Sequence, residues 1–101
     1  MTPVKITVIK KILNEDLLAE YGSQGLGICT DHAEGQIFYS NGWQKPDDLC
    51  DNAWKSMQEY VMTLAHGGRD FYGDWLNNPN IAVISCNDGL RPVIFKLEAT
   101  S

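Results

Sequence analysis

The sequence predicts an α+β fold: a small antiparallel or mixed sheet with one long helix and one short helix, in the order β-α-β-α-β-β. Three observations carry this. Apolar runs of strand length recur near the start, the middle and the end of the chain. The segment from Cys50 to His66 instead spaces its apolar residues by three and four, the mark of a helix with one buried stripe. The chain has 101 residues, 44% of them apolar and 21% charged, which suits one globular domain spanning residues 1–101.

The elements follow in order. From Val4 to Ile12, Val4, Ile6 and Val8 alternate with Lys5 and Thr7, although Ile9 and Ile12 blur the outer face. Asn14 offers a helix cap, Glu15 and Asp16 suit the positive end of a helix dipole, and Leu17, Leu18 and Tyr21 share a face. A short helix ending at Gly22 is expected, then a loop over Ser23–Gly27. Gln36–Ser40 is the second strand and ends at Asn41-Gly42, a turn signal because both residues tolerate positive φ. In the long helix, Ala53, Trp54, Met57, Tyr60, Val61, Leu64 and Ala65 draw the buried stripe, and Gly67-Gly68 stops it. Arg69–Asn80 is irregular and aromatic, the kind of loop that often carries function. Ile81–Ser85 is the third strand, Asn87-Asp88-Gly89 a turn, and Val93, Phe95 and Leu97 mark a fourth strand paired antiparallel with the third.

Composition excludes several classes. Eight Lys and Arg against 13 Asp and Glu leave a net charge of −5 and no basic run, so a phosphate-tracking nucleic-acid binder is not expected. Lys5, Lys10 and Lys11 interrupt the first apolar stretch, which therefore reads as neither a leader peptide nor a membrane span. Three cysteines cannot all pair within one chain, and without a leader the reducing cytoplasm is the expected compartment. Ten aromatic residues are many for an 11.3 kDa chain to hide, so a homo-oligomer is expected, with residues 69–76 as the contact.

The residues with chemistry are few. Cys29, Cys50 and Cys86 all sit at element ends. Cys50 opens the long helix, where the positive dipole end favours a thiolate. It is also in phase with the apolar stripe, so a small buried hydrophobe is the competing assignment. Cys29 and His32 form a C-x-x-H pair; with Cys50 and Cys86 they could complete a tetrahedral site for zinc or iron. No C-x-x-C accompanies it. His66 lies about 24 Å from Cys50 along the helix, too far to serve as its base. In Asp88-Gly89-Leu90-Arg91-Pro92, Arg91 presents a planar fork of donors suited to a carboxylate or phosphate, unless it pairs with Asp88 across its own turn. Of the tryptophans, Trp75 in the irregular loop has the best claim to a pocket.

Three stretches together resemble a family of small uncharacterised proteins of anaerobic bacteria and archaea. They are Val4-Lys5-Ile6-Thr7-Val8 with Asn14-Glu15-Asp16-Leu17; Cys50-Asp51-Asn52-Ala53-Trp54 with Gly67-Gly68; and the run from Cys86 through Asp88-Gly89-Leu90-Arg91-Pro92-Val93 to Leu97. The resemblance spans nearly the whole chain. Thr30 and Ser85 depart from it, standing where the family often has proline and cysteine. It implies no activity, but it implies that Cys29, Cys50, Cys86, Asp88 and Arg91 belong to one pattern.

Three functions are therefore expected, in this order. The first is a module holding a metal ion or small anionic ligand where Cys29, Cys50 and Cys86 meet, with Asp88, Arg91 and Trp75 as further contacts. The second is an enzyme with Cys50 as nucleophile and Arg91 orienting an anionic substrate. The third is an oligomeric accessory protein of anaerobic redox metabolism.

Overall fold

A computed structural model describes residues 2–100. Four strands and two helices follow the predicted order: β1 (Val4–Lys11), α1 (Glu15–Tyr21), β2 (Ile37–Ser40), α2 (Asp51–Ala65), β3 (Ile81–Ser85) and β4 (Val93–Ala99). The strands form one sheet in the order β2-β1-β4-β3, and every neighbouring pair is antiparallel. The first and last strands thus lie side by side at its centre. β2 and β3 are its two edges.

Alternation decides which face is buried. Val4, Ile6 and Val8 of β1 point to one face with Phe38, Ala82, Val93, Phe95 and Leu97, and all are buried. The helix α2 covers that face with Ala53, Met57, Val61, Leu64 and Ala65, while Leu49 closes the helix entry. Trp54 was expected in this stripe but is only half-buried. It stands in the first turn at the flank of the stripe, and an indole is large enough that full burial is uncommon. The opposite face of the sheet carries no helix and leaves Ile37, Tyr39 and Val83 exposed.

Local details follow from single residues. The β1–β4 register shifts between Val8 and Lys10, so Ile9 is a bulge residue and faces out. This is why the outer face of β1 reads as blurred. Helix α2 ends with Gly67 donating to the Leu64 carbonyl at 3.2 Å and Gly68 to that of Thr63 at 2.8 Å. Gly67 takes φ +95°, which completes a left-handed helix stop. Gly42, also at φ +95°, lies directly against α2: a Cβ there would fall 2.6 Å from Met62 Cα. Asn14, expected to cap α1 with its side chain, makes no such bond. Its Nδ2 donates instead to the Gly89 carbonyl at 2.6 Å, and its amide to the Leu90 carbonyl at 2.9 Å. Tertiary contact with a chain segment 75 residues away takes the group that local capping would have used.

Candidate functional site

The three cysteines lie at one end of the molecule, where β1 and β3 finish and β4 and α2 begin. A series of contacts ties that end together. Cys86 donates its amide to the Val93 carbonyl at 2.9 Å, and its sulfur accepts the Val93 amide at 3.2 Å. Val93 pairs with Lys11 across the central ladder. Lys11 reaches back with Nζ to the carbonyls of Cys29, at 3.0 Å, and His32, at 2.7 Å. His32 in turn accepts the Cys50 amide on Nε2 at 3.1 Å. All three cysteines are half-buried against the core and none forms a disulfide.

His32 is the keystone of this corner. It is 4% exposed, and its ring meets Phe38 and Phe95 edge-on with centroids 5.4 and 6.0 Å apart. Cys50 is the N-cap of α2 and makes no side-chain cap bond. In a capping box, a Glu or Gln at the third helical position would take the cap's own amide. That position holds Ala53, so His32 takes the amide from a loop 18 residues earlier. The bond fixes the tautomer: a neutral ring accepting on Nε2 carries its proton on Nδ1. Among the described residues, that Nδ1 is buried without a hydrogen-bond partner.

The same bond bears on the expected metal ligands Cys29, His32, Cys50 and Cys86. A histidine ligates through a lone pair, and the Nε2 lone pair faces the Cys50 amide. Among the described residues, no group of three or more His, Cys, Asp and Glu is arranged to hold a metal ion. The contacts at this corner run through the Cys29 carbonyl, the Cys50 amide and the Cys86 amide and sulfur, not through converged ligand atoms.

Asp88 and Arg91 pair within one turn. Asp88 Oδ1 accepts the amides of Leu90, at 2.9 Å, and Arg91, at 3.2 Å, and Oδ2 lies 3.4 Å from Arg91 Nε. Burial alone would raise the Asp88 carboxyl, but the two amides and the guanidinium together hold it below the usual carboxylate range. Arg91 pairs with Asp88 across its own turn, the alternative that the sequence left open beside a ligand role. Sequence spacing gave both alternatives; the amides at Oδ1 favour the turn because they fix the carboxylate there.

A second surface lies along β3. Tyr60 of α2 packs on Phe71, centroids 5.1 Å apart, and its hydroxyl is hydrogen-bonded to that of Tyr72. That bond first, then burial, raises the Tyr60 phenol above its ordinary value. Tyr72 stacks on Trp75 at 5.0 Å with the rings 28° from parallel. Phe71, Tyr72, Trp75 and Leu76 face Ala82, Val83 and Ile84 across a cavity of about 250 Å³. Yet Trp75 is 79% exposed, Tyr72 57% and Val83 44%. The irregular loop is thus an aromatic shelf beside a sheet edge, and Trp75 is among the residues that line its pocket.

Comparison with known proteins adds no relative: no family model, no curated protein and no solved structure matches this chain. Among the described residues, no helix is long and apolar enough to cross a membrane.

Proposed function

We propose that this protein is an interaction module, and that its contact surface is the aromatic shelf together with the exposed edge of β3. The observation that carries the reading is Trp75: a large apolar side chain, stacked in place by Tyr72 and left almost wholly in water. Held aromatic anchors are what protein interfaces select, because little entropy is lost when the partner arrives. The absence of charge from Trp75 to Asn87 supports it, in a chain whose net charge is −5. The reading places the protein in the reducing cytoplasm, the compartment expected of a chain with three cysteines. The test is a photocrosslinking amino acid placed at position 75, and a control at Lys55 on the exposed side of α2, in cells expressing the full chain. Protein adducts at 75 but not at 55 are expected. Equal or no adduct formation at 75 would refute the reading.

A second reading rests on the cysteine corner. Contacts through the Cys29 carbonyl, the Cys50 amide and the Cys86 sulfur support it, because they tie the three residues to one end of the fold. A small anionic ligand or a metal held there, or catalysis by the Cys50 thiol, would use that end. Elemental analysis for zinc and iron on untagged protein, with native-state alkylation of the three thiols, tests it. Metal-free protein with three equally inert thiols would dismiss it.

A further inference from the structure

The edge strand β3 is built as few solitary edges are. Its sequence, Ile-Ala-Val-Ile-Ser, has no charge and no proline, and its pairing with β4 runs without a bulge. Natural edges are usually blunted by one of these devices, because an unpaired ladder recruits another strand. Cys86 donates to the Val93 carbonyl and Ala99 to the Asn80 carbonyl. Antiparallel alternation from these two bonds turns the main-chain groups of Ala82 and Ile84 toward β4 and those of Ile81, Val83 and Ser85 outward. No hydrogen bond among the described residues engages those outward groups from the far side.

We infer that the partner of this surface is a second copy of the chain, which adds its own β3 antiparallel to this one about a two-fold axis at Val83. The inference rests on the interaction-module reading and names its partner. In this register Val83 faces Val83 of the copy, and Ile81 faces Ser85. Each outward amide then meets an outward carbonyl, and two four-stranded sheets join into one. The two shelves come to the same side of the joined sheet, so Tyr72 and Trp75 extend the contact beyond the strands. Four aromatic side chains supply several hundred Å² of apolar surface, which brings strand pairing toward the roughly 1,200 Å² of a specific interface.

Charge selects self-pairing at this edge. Two copies at −5 repel each other, so they can meet stably only where no like charges are pressed together. The stretch from Trp75 to Asn87 meets that condition. The other edge is more acidic: Asp31 and Glu34 precede β2 and Asp47 and Asp48 follow it, against Asp74 and Asp88 alone at the two ends of this stretch. Self-pairing there would gather acidic residues of both copies.

Light scattering on the full chain at about 100 µM, a concentration that populates even a weak micromolar dimer, tests the inference alongside two variants. Val83→Lys sets a cation against its own copy on the axis. Val83→Pro deletes an outward amide at an edge position, where proline removes no ladder bond. Circular dichroism reports whether each variant is folded, so the folded one carries the test if the other fails. The expected result is a wild-type mass twice the 11.3 kDa of one chain, and a single-chain mass for the folded variants. A wild-type mass of one chain, or a dimer persisting in a folded variant, overturns the inference. The two levels separate cleanly: monomeric wild type whose position-75 adducts contain a different protein keeps the module and ends self-pairing, whereas no adduct ends both.

Discussion

Replacing His32 with alanine removes three things at once: the acceptor for the Cys50 amide, the two edge-on ring contacts to Phe38 and Phe95, and the volume of a buried ring. The ring contacts are worth about 1 kcal/mol each. A residual void on the order of 50 Å³ adds about 1 kcal/mol at the measured dependence on cavity volume. The orphaned Cys50 amide costs about 1–3 kcal/mol, but removal of the unpartnered Nδ1–H returns a similar amount. The net loss is about 3 kcal/mol, which for a domain of this size lowers Tm by roughly 15 °C. Urea unfolding followed by circular dichroism reads it directly, with an unchanged denaturant slope. A loss below about 1 kcal/mol, within the range of an ordinary surface change, would refute the assignment of His32 as the keystone between the 29–32 loop and α2.

Other substitutions test separate parts of the structure. Gly42→Ala drives a Cβ into the Met62 backbone at a left-handed φ, and should cost about 2–4 kcal/mol in the same urea assay, because neither backbone can yield cheaply. Asp88 is held below its ordinary value, so its contribution is full above the unfolded carboxylate value of about 4 and is lost as pH falls through the lower folded value. Asp88→Asn should therefore flatten the acid limb of a stability-against-pH curve below about pH 4, the same range, while leaving the slope at neutral pH unchanged. Trp75→Ala should leave stability of the single chain within about 0.5 kcal/mol, as expected for an exposed side chain, measured by thermal melts at low concentration.

What was legible in the sequence was what local pattern controls. The period of two in β1 and β4 and the three–four spacing of α2 fixed the faces, and Gly67-Gly68 stopped the helix where it stops. Neighbour relations were less legible. Alternation says that Val8 and Phe95 point inward, but not that β1 lies beside β4. Asn14 misled because its side chain serves Gly89, far along the chain, in place of its own helix. His32 looked like a ligand by its spacing from Cys29; its partner is the main chain of Cys50, a bond that no spacing rule encodes. Trp75 was legible as a pocket residue, since an aromatic cluster in an irregular loop must either fold back or face outward, and here it does both. The pairing state of the β3 edge depended on strand order and so could be read only from the fold.

The amide exchange of β3 tests the central claim most directly. Ala82 and Ile84 donate toward β4 and should be protected at every concentration. Ile81, Val83 and Ser85 face outward, and the account predicts that they are protected at about 100 µM, where a micromolar dimer is populated, and lose that protection on dilution of the same sample. Exchange at these three amides that is fast at both concentrations would contradict it.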